Sequence, residues 1–293
     1  MTVLGSQTRF WDYGDENAPT TIVMVHGFRG DHHGLEPIVA QLSGVRIVSA
    51  DLPGFGSSEP LTGIRHDIDG YSAWLREFVS SLDLHGRFVL LGHSFGSIVV
   101  AAALAGQPKP SPSDADRSSA QRLAPDDVVL VNPIGAPALK GPRAFGTRLA
   151  IFYYWLGAAL PERAGFALLK NRAIVRGMSE AMAKTRDRDL RLWIHGQHAQ
   201  YFSAFADRDT VLQAFRASVG HDVSEYAALI PERTLLVAAE RDDITPLSAQ
   251  ERLVTLFPHA ELEVIPSVGH LIHYETPKRA AELITGFLAR DPR

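Results

Sequence analysis

Six short apolar runs recur along the chain, at residues 21–25, 45–48, 88–91, 128–131, 234–237 and 262–265. Most lack the polar–apolar alternation of a strand with one wet face, so they read as strands covered on both sides. Between them apolar residues step at helical intervals, most plainly Tyr71, Trp74, Leu75, Phe78, Val79 and Leu82. Near the carboxyl end Ala280, Leu283, Ile284, Phe287 and Leu288 repeat the stripe. Thr245-Pro246 and Thr276-Pro277 each read as an N-cap with proline at the first helical position. Buried strands alternating with helices predict an α/β fold: a mostly parallel central sheet flanked by helices.

The rhythm breaks after Asn132-Pro133 and resumes at Thr234. The intervening stretch is rich in Ala, Arg and aromatic residues and shows no convincing strand, so it reads as a helical insertion. The expected division is a core of residues 1–133 and 226–293, interrupted by an insertion over 134–225. Residues 107–125 concentrate Pro, Ser and Asp and read as an irregular surface loop.

A hydrophobic share of 45% in 293 residues supports a sizeable core. The 29 basic and 33 acidic residues are mixed along the chain, giving a formal charge of −4 and no basic stripe for nucleic acid. Cysteine is absent, which excludes disulfides, thiolate metal sites and a cysteine nucleophile. Residues 1–8 lack the basic and apolar regions of a signal peptide, and no apolar stretch approaches the ~20 residues that cross a bilayer. The expectation is a cytoplasmic protein with no integral membrane segment.

Gly92-His93-Ser94-Phe95-Gly96 stands between one apolar run and the helical stretch 98–104. A serine on so sharp a strand-to-helix turn needs small residues two positions either side, which Gly92 and Gly96 supply. Its hydroxyl is a poor nucleophile until a histidine takes its proton, and that imidazole needs an acceptor on its other nitrogen. His270 follows the last strand and Asp242 follows the strand at 234–237. Loops after parallel strands emerge at one sheet edge, so the three can converge. An oxyanion needs two donors; the N–H of Phe95 is one candidate. The N–H of Phe28, in His26-Gly27-Phe28-Arg29-Gly30 after the first strand, is the other.

Together, His26-Gly27-Phe28, residues 51–58, Gly92 to Gly96, Asp242 to Pro246, and Gly269-His270 with Glu275 and Pro277 resemble, in order, the segments of the α/β-hydrolases with a helical cap. The resemblance spans the core on both sides of the insertion and implies that the insertion is the cap. It implies a cofactor-free serine hydrolase with no metal, and its spacing favours Asp242 over Asp243 as the acid. Some relatives carry the acid after the preceding strand; Asn132 stands there and cannot serve as a carboxylate. Ser94 departs from the branches that use an aspartate nucleophile.

Plainer readings stand beside these. Asp51 and its following glycines shape a turn. His195 and His198 share a helical face without a third ligand and read as hydrogen-bonded residues of the insertion; His32 and His33 read as surface residues. Arg29 is a candidate to receive a substrate carboxylate, or else a solvated loop arginine. The aromatic run 152–155 lines a pocket, touches a membrane surface, or forms the insertion's own core.

The expected activity is hydrolysis of a carboxylic ester or thioester through an acyl-enzyme on Ser94, with a small-molecule acyl substrate and no set oligomeric state. The alternative is carbon–carbon hydrolysis of a ring-cleavage diketone. Relatives with that activity carry tryptophan soon after the histidine, where this chain has Leu271, and a cap arginine, for which Arg143, Arg148, Arg172 and Arg176 are available beside Trp193. A non-catalytic ligand-binding protein of the same fold is the reading from another class.

Overall fold

In the computed structural model, which describes residues 1–106, 122–136 and 144–290, the apolar runs become neighbouring strands of a seven-stranded sheet. β1 (Thr2–Val3) and β2 (Ser6–Gln7) make a small hairpin outside it. The sheet comprises β3 (Phe10–Tyr13), β4 (Thr20–Val25), β5 (Arg46–Ala50), β6 (Arg87–His93), β7 (Asp127–Val131), β8 (Arg233–Ala239) and β9 (Ala260–Ile265). Its order is β3-β5-β4-β6-β7-β8-β9, all parallel except the edge strand β3, which pairs antiparallel with β5. Only β3 and the hairpin were not anticipated; β3 is four residues long with Asp12 in its middle, too short and too polar for an apolar run.

The missing alternation has a direct cause. Val23, Leu90, Val128, Leu130 and Leu236 point to one buried cluster, whereas Ile22, Met24, Val89, Leu91, Val129, Leu235 and Val237 point to the other. Both faces are dry, so both sets are apolar.

The helices are α1 (Glu36–Val39), α2 (Ile68–Ser80), α3 (Phe95–Ala105), α4 (Ala144–Ala159), α5 (Glu162–Leu169) and α6 (Arg172–Met182). They continue with α7 (Arg188–Tyr201), α8 (Arg208–Gly220), α9 (Leu247–Val254), α10 (Ile272–Glu275) and α11 (Pro277–Leu288). The side chain of Asp67 caps α2 by accepting from Gly70 N–H, and the expected stripe Tyr71, Trp74, Leu75, Phe78 and Val79 is buried. Each such aromatic side chain stabilises the packed state by roughly 1.5–3 kcal/mol, which outweighs its ~0.7 kcal/mol helix-propensity cost. Residues 95–104 of α3 are buried on every side. On the opposite face of the sheet α1 and α11 cover the second cluster through Ile38, Ala280, Ile284 and Phe287.

Two N-caps differ from expectation. Thr245 does not cap α9, because its hydroxyl is taken by Asp242; Pro246 is the cap residue instead. Pro277 does start α11, but the Thr276 side chain does not cap it.

Helices α4 to α8 all lie between β7 and β8. They meet the core through a bridge between Phe55 and Phe205, flanked by bonds from Gly56 N to Ala204 O (2.7 Å) and Ala206 N to Gly54 O (2.9 Å). The aromatic run on α4 splits: Tyr154 is buried and stacks on Phe215 at 3.8 Å, whereas Phe152 and Trp155 are exposed. The loop expected at 107–125 falls mostly outside the described residues, as does Arg143. Among the described residues no helix is long and apolar enough to cross a membrane.

Candidate active site

Ser94 sits between β6 and α3 with φ 52° and ψ −119°, a conformation that costs an L-residue roughly 1–3 kcal/mol. The surroundings hold it there. Ser94 N–H donates to Val131 O (3.0 Å), and its carbonyl accepts from the Ser97 hydroxyl (2.5 Å). A Cβ on Gly92 would lie 2.6 Å from Gly96 O, and one on Gly96 would lie 2.3 Å from Val25 O. The turn therefore packs too closely for any side chain at either position.

The Ser94 hydroxyl is 2.8 Å from His270 Nε2, and His270 Nδ1 is 2.7 Å from Asp242 Oδ2. Three residues from three loops at the carboxyl edge of the sheet thus form one hydrogen-bonded chain. Asp242 Oδ1 accepts from the N–H groups of Ile244 (2.8 Å) and Thr245 (2.9 Å), and Oδ2 also accepts from the Thr245 hydroxyl (2.6 Å). Burial pushes this carboxyl up, but His270 and the Thr245 bonds outweigh it and hold it down at about 2. Asn132, after β7, donates its side-chain N–H to Asp242 Oδ2 at 3.0 Å. The position that could have carried an alternative acid instead supports the one present.

Phe95 is the first residue of α3, where a helical N–H has no intrahelical partner. The Phe28 loop packs beside it: a Cβ on Gly27 would lie 3.2 Å from Ser94 Cβ, and the Phe28 and Phe95 rings are 6.3 Å apart. Phe95 thus adjoins the serine along the chain, and the Gly27-Phe28 loop packs against it from across the sheet edge.

Arg29 requires correction. It is buried, not solvated, and its guanidinium donates to Phe202 O (3.0 Å), the Tyr154 hydroxyl (3.1 Å) and Leu169 O (2.8 Å). Those partners sit on the α4–α8 segment, so Arg29 ties that segment to the core and is not disposed to take a substrate carboxylate. The surface reading of His32 is also corrected. His32 is buried with Nδ1 2.9 Å from Asp51 Oδ1, and Trp11 stacks on it. Asp51 also accepts from His32 N–H and Ser57 N–H, which fixes the turn after β5. Asp31, His32 and His33 bring potential ligand atoms within 4.8 Å of one another, and the hydrogen bonds of His32 to Asp51 and His33 to Asp31 account for them.

A cavity of about 190 Å³ opens over Ser94. Its core-side wall includes Phe28, Ile134, Ile244, Leu271 and Tyr274; α6 and α7 supply Met178, Met182, Gln197, His198 and Tyr201, and Phe202 follows at the end of α7. No lysine or arginine is among its described lining residues. Arg148, Arg172 and Arg176 are exposed elsewhere. Glu275 joins the two parts by accepting from Lys184 N–H and Thr185 N–H.

Five histidines line this cavity, of which sequence reasoning gave a role in the chemistry to one. Burial, with His270 beside it, pushes His93 down to about 3; burial also lowers His26 and His273. These rings are neutral near pH 7. His26 latches two loops, with Nδ1–H donating to Gly27 O and Nε2 accepting from Leu52 N–H. His26 and His93 fall within motifs read from the sequence, but the motifs do not reveal contacts such as that of His26 with Leu52 or of His93 with His270 and His273.

A family model described as the alpha/beta hydrolase family matches residues 22–283. The chain is 27% identical to the dihydrolipoyllysine-residue acetyltransferase component of the acetoin cleaving system of Pseudomonas putida, over 98% of this chain and 68% of that one. It is 23% identical to monoacylglycerol lipase abhd6-A of Xenopus laevis, over 98% and 83% respectively. A 2-hydroxy-6-oxononadienedioate/2-hydroxy-6-oxononatrienedioate hydrolase of Cupriavidus pinatubonensis is 25% identical over 92% of this chain and 86% of its own. Among solved structures, an esterase from Exiguobacterium antarcticum superposes with a TM-score of 0.74 at 17% identity, covering 99% of both chains.

Proposed function

From the premise that the chain belongs to the alpha/beta hydrolase family, we propose that it cleaves a carboxylic ester through an acyl-enzyme on Ser94, with a thioester as the second substrate class. The observation that carries this reading is the continuous Ser94–His270–Asp242 chain, with contacts of 2.8 and 2.7 Å, at the floor of an open cavity.

Ser94 Oγ attacks the carbonyl carbon while its proton passes to His270 Nε2. Asp242 holds the imidazole by Nδ1–H and stabilises the cation that forms. The N–H groups of Phe28 and Phe95 receive the oxyanion. The tetrahedral intermediate collapses, His270 gives the proton to the departing alcohol oxygen, and the acyl group stays on Ser94. Water then loses a proton to His270, attacks the acyl carbon, and Ser94 leaves with that proton. Helices α4 to α8 act as a cap whose inner wall bounds the acyl site.

The cavity also bears on the substrate. Its volume is close to the roughly 150 Å³ of an apolar cavity that holds benzene, and its lining is largely apolar without a cation. This favours a compact uncharged acyl group over the dicarboxylate named for the Cupriavidus relative. The carbon–carbon reading is therefore second, and a binding-only protein third.

A fluorophosphonate probe and a panel of p-nitrophenyl esters, thioesters and a ring-cleavage dienoate test the ranking. Labelling at Ser94 and turnover of short neutral esters are expected, with Ser94→Ala lowering kcat by about 10⁴-fold or more. A folded wild type unlabelled at Ser94 removes the proposal. Turnover of the dienoate alone reverses the order, and ligand binding without any hydrolysis establishes the third reading.

A further inference from the structure

Away from the triad, a second polar chain runs through α6 and α7. Ser179 is fully buried, and its hydroxyl oxygen lies 2.6 Å from His195 Nδ1 and 2.7 Å from His198 Nδ1. One hydroxyl has one hydrogen. It donates to one imidazole and accepts from the other, so the two rings hold opposite tautomers.

Glu180 breaks the tie. Its Oε1 lies 3.1 Å from His195 Nε2, close enough to act electrostatically although the pair is not aligned as a full hydrogen bond. Hydrogen bonds from Arg176 and Arg191 hold Glu180 down at about 2, so it is a carboxylate. A carboxylate beside Nε2 favours the hydrogen there and disfavours a lone pair. Burial lowers both imidazoles, His198 to about 4, so both are neutral near pH 7. His195 therefore carries its hydrogen on Nε2 and accepts from Ser179 at Nδ1. Ser179 in turn accepts from Nδ1–H of His198, and Nε2 of His198 is left as a lone pair.

His198 lines the cavity over Ser94, with its ring beside Phe202 (5.3 Å) and Tyr274 (5.6 Å), which line the same cavity. It also borders an outer hollow shared with Arg172, Arg176 and His195, so the polar chain spans the wall between the two spaces. Nε2 is the polar atom of His198 not already engaged by Ser179.

We propose that His198 is a specificity-determining residue of the Ser94 cavity, presenting Nε2 as a hydrogen-bond acceptor to an ester that carries a hydroxyl or N–H donor on the part reaching α7. Ser179, His195 and Glu180 are positioning residues that set its tautomer. This rests on the hydrolase reading of Ser94, and the test separates the two.

Two-bond ¹H–¹⁵N correlation spectra of the imidazoles at neutral pH read the tautomer with no substrate present. His198 is expected to carry its hydrogen on Nδ1 in the wild type. Ser179→Ala and Glu180→Gln are expected to shift it toward Nε2. A wild-type His198 with its hydrogen on Nε2 overturns the proposal.

Kinetics supply the second arm. 2-Hydroxyethyl butyrate and propyl butyrate have nearly the same length and differ by a terminal hydroxyl. Wild type is expected to favour the former in kcat/KM by about ten-fold or more, because a site built around a hydrogen bond discriminates against the analogue lacking it. In Ser179→Ala and Glu180→Gln that ratio falls toward one, chiefly through KM. Being internal to each protein, the ratio is insensitive to a fraction of misfolded chain. A wild-type ratio near one overturns the proposal.

Ser94→Ala, which leaves both esters intact, supplies the third. The His198 Nε2 resonance is expected to move on titration with 2-hydroxyethyl butyrate and not with propyl butyrate; equal movement counts against the proposal. If wild type hydrolyses neither ester nor any p-nitrophenyl ester, the hydrolase reading falls, and the tautomer and titration still decide the role of His198.

Discussion

Among five imidazoles around the cavity, His270 alone of the described residues bonds both to Ser94 and to a buried carboxylate. Asp242→Asn should keep the shape and remove the charge, and is expected to lower kcat by about 10⁴-fold, read by stopped-assay hydrolysis of a p-nitrophenyl ester. The same carboxyl makes stability pH-dependent. Its ordinary value of 3.8 applies to the unfolded chain and about 2 to the folded one, so the unfolded chain takes up the proton first as pH falls. The stabilisation is complete above about pH 4 and is lost as pH falls through 2, a change of roughly 2 kcal/mol. Urea melts of wild type and Asp242→Asn at pH 5 and pH 2 check this; the gap between them should narrow at the lower pH. Ser94, His270 and Asp242 were legible as candidates because their loops follow strands of one parallel sheet. The support from Asn132 and the latch formed by His26 were not, since each joins segments whose spacing carries no pattern.

At the level of elements, continuous apolar runs gave away the buried strands, and helical stripes gave away α2 and α11. What failed was chemistry shared between neighbours: Thr245 reads as a cap until Asp242 claims its hydroxyl. Arg29 failed for the same reason, since nothing in its own loop reveals carbonyls contributed by residues 169 and 202. Replacing it with leucine removes a donor from both Leu169 O and Phe202 O; Leu169 O keeps the Tyr153 hydroxyl (3.0 Å), whereas a carbonyl left unsatisfied costs roughly 1–3 kcal/mol. Arg29→Leu is therefore expected to raise amide hydrogen exchange around residues 169 and 202 more than in the central strands, as mass spectrometry can map. Unchanged exchange there would show that the remaining contacts, among them the backbone bonds at Gly54 and Gly56 and those to Glu275, hold the segment without Arg29.

Across the whole molecule, the two edges of the sheet do different work. The candidate site occupies the carboxyl edge, as open parallel sheets favour. At the amino edge buried Asp127 accepts from Arg87 Nε (2.6 Å) and Arg233 Nε (2.7 Å), and the same arginines donate to Leu288 O and Phe287 O at the end of α11. Removing one member of a buried ionic group costs about 3–5 kcal/mol, less here because both arginines are partly exposed. Asp127→Ala is expected to lower the unfolding free energy by roughly 2–4 kcal/mol while leaving kcat of the folded fraction near wild type. A denaturation curve and an active-site titration together check it, and a proportional fall in kcat would contradict the separation of the edges.

Arg29 follows Phe28 directly in the chain, and its side chain grips the roof while its backbone belongs to the floor. Under the proposed reaction, any outward displacement of that roof would be felt at the neighbouring Phe28, so guest entry and oxyanion binding would share one lever.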